Sequence, residues 1–284
     1  MIPLKDNVPT ASFPLVTILL IAANLAFFGW QLSFSGSEES PELQRAGIVG
    51  LSERDQASLE YGATPYRLLH PGEDCAIGVP AGQQGADVVC QGTPEYAQAS
   101  SGAAPLVPLD QPPWWVTVFT SMFMHGGLLH IGFNLLFLWI FGNNVEDAMG
   151  KARFLLFYLL AGVAAVYAQS LLDPSSTVPT IGASGAVAGV LGAYAVLLPR
   201  ARVLSLIFLL FFVTLVEVPA YVMLGIWFVL QFLPAIGQAT APVDGGGVAY
   251  FAHVGGFVFG LAMVWLFTKR RPSLGGADPP YPVY

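Results

Sequence analysis

The stretch HGGLLHIGFNLLFLWIFGNNVED, residues His125 to Asp147, is an apolar run that opens with three polar side chains, His125, His130 and Asn134. Its length suits a hydrocarbon core of ~30 Å. Similar runs lie on both sides of it. FPLVTILLIAANLAFFGWQLSF (Phe13 to Phe34) precedes it, and ARFLLFYLLAGVAAVYAQSLL (Ala152 to Leu172) follows. SGAVAGVLGAYAVLLP (Ser184 to Pro199) is short and rich in small residues, and FAHVGGFVFGLAMVWLF (Phe251 to Phe267) comes last. Residues 204–235 form one further apolar stretch, interrupted by Glu217 and Pro219. Its first part, Ser205 to Val216, would reach only ~18 Å as a helix, too short to cross. The reading is therefore one span from Ala220 to Ala235, with Ser205 to Val218 at the interface or packed against the bundle. The fold expected is an all-α polytopic membrane protein with six spans.

Composition agrees. Hydrophobic residues make up 55% of the 284 residues and charged residues 10%, against about 25% charged in soluble domains. The 31 Gly and 22 Pro follow no repeating period, so collagen-like structure is excluded. A net charge of −7 does not suit nucleic-acid binding, which needs a basic stripe. The first span continues with bulky residues where a signal peptide would have a cleavage site, and reads as uncleaved.

The chain divides into a tail at 1–12, a first span at 13–34, a polar insert at 35–113, a five-span core at 114–268 and a second tail at 269–284. The insert holds 11 acidic and 3 basic residues and shows little periodicity, so part of it is expected to be irregular or mobile. Cys75 and Cys90 both lie in it, without His or further Cys at zinc-ligand spacing. A disulfide and a pair of free thiols both remain open from the sequence. The Pro/Gly-rich tail after Arg271 reads as disordered.

Lys and Arg in short loops favour the cytoplasmic side. With six spans, Lys5, Lys151, Arg153, Arg200, Arg202, Lys269, Arg270 and Arg271 fall on one side, and loops 173–183 and 236–250 on the other carry none. Both termini are thus expected in the cytoplasm. This topology brings the starts of spans two, four and six to a common depth near the outer leaflet. His125, His130, Asn134, Ser184 and His253 then share that depth, and three of the chain's four His fall in the set. Gly185, Gly189 and Gly192 share a face of span four, as His253, Gly256 and Gly260 do in span six. Small residues let helix backbones approach closely, which a short Ser–His contact requires. Each feature has a plainer explanation: a helix-start Ser is usually a cap, and such glycines also pack ordinary helices.

The motifs GASG around Ser184 (with Gly182 two residues before it), AHVGGFVFG around His253 and HGGLLHIGFN from His125 to Asn134 resemble those of the rhomboid intramembrane serine proteases. Glu146, Gly150 and Phe154 fit a fourth pattern of that family. The resemblance covers about residues 114–268, with the first span matching in position only, and implies a six-helix bundle; the 35–113 insert between spans one and two is longer than in compact members. It implies Ser184 as nucleophile, His253 as general base, His130 and Asn134 in the oxyanion hole, and His125, Gly182, Gly185, Gly256 and Gly260 in support. Glu146 would tie the cytoplasmic ends of helices together. Two departures stand out. Ala188 occupies a position where the family often has an aromatic ring stacked on the His, so another group must hold the imidazole. The family's Trp-Arg element in the first loop is not evident.

The activity expected is hydrolysis of peptide bonds in or near transmembrane segments, without metal or cofactor, in the cell (inner) membrane. The site would open to the extracytoplasmic side. Expected partners are transmembrane protein substrates and the bilayer. Loop 236–250, with Gly245, Gly246 and Gly247, would serve as a lid. Alternatives are a non-catalytic relative binding client helices, a metalloenzyme using His125, His130 and His253, and a transporter.

Overall fold

The computed structural model describes residues 1–79, 85–103, 105–209, 212–240 and 247–269. The tail beyond Arg271 and the glycines Gly245 and Gly246 lie outside them. The chain is mostly helical. Among the described residues four helices are long and apolar enough to cross a bilayer: α2 (Leu128–Met149), α3 (Lys151–Leu172), α5 (Ala220–Thr240, apolar over Ala220–Gln238) and α6 (Tyr250–Phe267). Two apolar helices are shorter, α1 (Leu15–Gln31) and α4 (Ser184–Leu197). α2 holds a π turn at Leu138–Gly142.

Helix α4 is the centre of the bundle. Its composition is apolar on every face, as expected of a fully buried helix, and each residue from Gly185 to Tyr194 is buried. Its glycines are places of contact. A Cβ on Gly256 of α6 would overlap the Gly185 carbonyl, and one on Gly260 would overlap the Gly189 carbonyl. A Cβ on Gly192 would run into the carbonyl of Phe257. On its other side α4 meets Ala161 and Ala165 of α3, again at Gly189 and Gly185. Backbone thus lies against backbone between α4 and α6, with no room for a side chain.

Helix α1 has no side-chain cap of its own. Glu146 of α2 supplies one from outside. Its carboxylate accepts from the Val16 and Thr17 amides at 3.0 and 2.7 Å and from the Thr17 hydroxyl at 2.8 Å. Those amides are among the donors every helix start leaves without an intrahelical partner, and an anion is favoured there. The neighbouring Asp147 accepts from Ala11 N and Ser12 Oγ.

The all-α expectation is corrected by two three-stranded sheets. In the first, β1 (Ile2–Asp6) pairs antiparallel with β5 (Arg202–Leu209), which pairs with β6 (Phe212–Pro219). The stretch expected at the interface or against the bundle is therefore a β-hairpin leading straight into α5. Its continuous apolar run carries no period that separates strand from helix. Val203 and Ser205 are buried, whereas Phe208, Phe212, Val213 and Leu215 are exposed. β1 also brings Asp6 to a buried position, where its carboxylate accepts from Asn144 Nδ2 at 2.7 Å and the Tyr194 hydroxyl at 2.6 Å.

The described residues of the insert form short helices and a sheet. Short helices at Pro41–Ala46, Glu53–Tyr61, Pro65–Leu69 and Pro94–Gln98 surround a sheet in which β2 (Cys75–Gly78) lies between β3 (Asp87–Cys90) and β4 (Leu106–Pro108). Ser52 and Asp55 form a capping box. Cys75 and Cys90 sit opposite each other on β2 and β3 and are disulfide-bonded. Leu43, Ile48, Ile77, Val107 and Leu109 form a small core around them. All three insert arginines are hydrogen-bonded: exposed Arg45 to Pro41 O on its own helix, Arg54 to the Gln31 and Phe34 carbonyls, and Arg67 to Asp74 and Pro112 O. Arg54 thus places a cation at the C-terminal end of α1, where the helix dipole favours one.

Two outcomes are expected. Gly256→Val forces α4 and α6 apart and costs about 1–3 kcal/mol of stability, read as an earlier unfolding midpoint in mixed detergent–SDS micelles. Burial pushes the Asp6 carboxyl from 3.8 up to about 6. Its contribution to stability is therefore complete below pH 3.8 and lost as pH rises through 6, roughly 3 kcal/mol in all. Asp6→Asn should flatten the fall in thermal midpoint between pH 4 and pH 7.

Candidate active site

Helix α4 begins at Ser184, and as its first residue Ser184 has a backbone N–H without an intrahelical acceptor. The close packing of α4 on α6 brings His253, in the first turn of α6, alongside it. The Ser184 hydroxyl and His253 Nε2 are 2.8 Å apart, a hydrogen bond of ordinary length. The other ring nitrogen, Nδ1, is 2.7 Å from Oε1 of Gln231 on α5. Trp227, one turn earlier on α5, has its ring centroid 6.1 Å from the imidazole, tilted by 40°. Gln169 of α3 accepts from Ala252 N and so holds the start of α6.

His130 and Asn134 project from α2 into the same cavity, whose volume is about 560 Å³ and which Ser184, His253, Trp227 and Gln231 also line. That volume lies in the range of small-ligand pockets. The Gly126 amide donates to His130 Nδ1 at 3.3 Å. In a neutral ring this assigns the proton to Nε2, the nitrogen that faces Gly182. Gly182 has φ +119°, and a Cβ there would stand 2.6 Å from His130 Nε2. Its own amide donates to Ser121 O at 2.8 Å. Gly182 is thus required by backbone conformation and by the imidazole beside it. Asn134 is buried, and among the described residues its Nδ2 has no hydrogen-bond partner. A buried amide N–H without an acceptor is costly unless something visits it.

His125 lies behind this set. Its Nδ1 is 3.1 Å from Phe123 O, and its ring meets that of His130 edge-on at 5.1 Å. Gln31, fully buried at the end of α1, grips its backbone, accepting from His125 N at 2.8 Å and donating to His125 O at 3.3 Å. The three histidines do not converge as metal ligands, and among the described residues no group of three His, Cys, Asp or Glu does.

Two participants carry no motif in the sequence. Gln231 is the lone amide in the span Ala220–Ala235, and a polar group at membrane depth is itself a signal. Gln31 stands at the end of the first apolar run, where it reads as a boundary residue.

The insert also reaches the cavity wall. Ala63 and Thr180 exchange two backbone hydrogen bonds of 3.0 and 2.9 Å, and Tyr66 N donates to Ser176 O. Residues 173–183, which lead into Ser184, are thereby fastened to the insert.

A polytopic helical protein with a serine hydroxyl on an imidazole between its central helices is a narrow class. The Rhomboid domain family model matches residues 112–270, over half of the chain. The chain belongs to the rhomboid family. It is 29% identical over 158 residues to the mitochondrial Rhomboid protein 1 of Saccharomyces cerevisiae, covering 54% of this chain and 42% of that one. It is 34% identical over 169 residues to the chloroplastic Rhomboid-like protein 11 of Arabidopsis thaliana, 55% of this chain and 54% of that one. With Rhomboid protease GluP of Bacillus subtilis the identity is 43% over 83 residues, 29% and 16% of the two chains. The chain thus spans about half or less of the length of these relatives.

Gln31→Leu removes both bonds to the His125 backbone and leaves two buried groups unmet. A loss of about 2–3 kcal/mol is expected, measurable as a lowered midpoint in the same micellar unfolding assay.

Proposed function

We propose that the chain is an intramembrane serine endopeptidase acting on transmembrane protein substrates. The observation that carries this reading is the 2.8 Å contact between Ser184 Oγ and His253 Nε2. A serine hydroxyl needs an adjacent base to attack at neutral pH. As Ser184 Oγ bonds to the peptide carbonyl carbon, its proton passes to His253 Nε2. The carbonyl oxygen becomes an oxyanion facing the Ser184 N–H, Asn134 Nδ2 and His130 Nε2–H, and the unmet Asn134 donor supports that role. Collapse of this intermediate breaks the C–N bond, and His253 returns the proton to the leaving amine. Water then attacks the acyl ester, again giving a proton to His253, which passes it to Ser184 as the carboxylate departs.

The topology belongs to the same proposal. Helices α1 to α6 are read as six spans, with residues 1–12 and 269–284 in the cytoplasm and the 35–113 insert outside. The disulfide in that insert suits an oxidising compartment. At 14 residues, α4 is about 21 Å long, shorter than the ~30 Å core. Ser184 at its start would therefore sit below the outer membrane surface, in a cavity open to extracytoplasmic water. The cell (inner) membrane is the proposed location.

A fluorophosphonate probe should label the wild type and not Ser184→Ala. Cleavage of labelled single-span substrates in proteoliposomes should vanish in Ser184→Ala and His253→Ala. In Asn134→Ala it should fall roughly 10²–10³-fold in kcat. An unlabelled, inactive wild type would instead favour a non-catalytic binder of client helices.

A further inference from the structure

We infer that Gln231 completes the Ser184–His253 pair as a neutral third member that orients the imidazole and sets its tautomer; this rests on the reading of Ser184 and His253 as a catalytic dyad. An imidazole that accepts from a serine hydroxyl through Nε2 must carry its proton on Nδ1. That proton needs an acceptor in a buried site. Gln231 Oε1 is the acceptor in place, 2.7 Å from Nδ1. The two bonds leave the ring with both nitrogens engaged, one on α4 and the other on α5. Ala188 is too small to brace the ring from α4, and Trp227 covers it from the same helix that carries Gln231.

The choice of an amide has chemical consequences. In hydrolases with a serine, a histidine and a carboxylate, the acid fixes the tautomer and also stabilises the imidazolium that forms. An amide oxygen does the first and offers only its dipole for the second. It also carries no charge to desolvate among apolar helices. The other titratable side chains facing the cavity are His130 on α2 and Asp173 just past α3, and Tyr250 on the same helix has its ring 6.5 Å from that of His253. Among the described residues no carboxylate is bonded to the imidazole, so Gln231 alone receives the Nδ1 proton.

Gln231 is a positioning residue, and two substitutions separate its role from simple packing. Gln231→Met keeps the volume and removes the acceptor. Gln231→Glu keeps the acceptor and adds charge. In the proteoliposome cleavage assay, Gln231→Met should lose about 10- to 100-fold in kcat with KM nearly unchanged. Gln231→Glu should keep most of the wild-type rate and move the acidic limb of the pH–rate profile to higher pH. Protein labelled with ¹⁵N-histidine gives a readout independent of activity. The His253 Nδ1–H resonance, assigned through His253→Ala, should be present in wild type and Gln231→Glu and lost in Gln231→Met. Wild-type kcat in Gln231→Met, or an Nδ1–H resonance unaffected by it, overturns the inference. A wild type that cleaves nothing yet shows this resonance, lost in Gln231→Met, refutes the protease reading and upholds the orientation by Gln231.

Discussion

Everything at the candidate site depends on how closely two backbones approach. A serine side chain has one rotatable carbon and an imidazole is short, so their contact demands that α4 and α6 touch without intervening side chains. Gly185 and Gly189 against Gly256 and Gly260 provide this, each glycine facing a carbonyl of the other helix. In lipid there is no hydrophobic gain from bringing apolar helices together. Close van der Waals fit has to supply the attraction, and glycine both permits it and spares it a side-chain entropy cost. Alanines 161 and 165 of α3 extend the same logic to the other side of α4.

Around this contact, polar groups hold one another at a distance from their own chain segments. Glu146 ends its role on α2 by beginning α1. Gln31 at the far end of α1 holds the backbone of His125, and His125 packs against His130. The first helix is thereby bonded at both ends to residues near α2, one end remote from the cavity and the other beside it. Each bond satisfies a group that burial would otherwise leave costly, so the polar residues of the bundle act as its fasteners.

The long apolar runs were legible because burial in lipid demands them, and the helices they form agree with the readings to within a few residues at most ends. Ser184, His253, His130 and Asn134 could be singled out because each stands at or near the start of an apolar run and inside a motif of the rhomboid family. Other features were hidden for physical reasons. β1 pairs with a strand nearly two hundred residues away, a tertiary event that no local pattern announces. The hairpin of β5 and β6 has a uniform apolar composition, so neither period appears. The insert folds around few apolar residues and one disulfide, and its low hydrophobicity reads as disorder when each short element is weighed alone. Gln231 sits alone among apolar neighbours, and its meaning arises only when α5 lies against α6.

The pairing of Ala63 with Thr180 has a wider consequence. The insert is not a pendant that hangs from the bundle; it is a buttress mortised into the wall of the cavity. A length of chain that looks like decoration in a linear comparison shares two rungs of backbone with the segment that delivers Ser184. Swapping or excising it therefore disturbs the wall that Ser176 and Thr180 give the cavity, and the shape of that wall belongs as much to this module as to the helices.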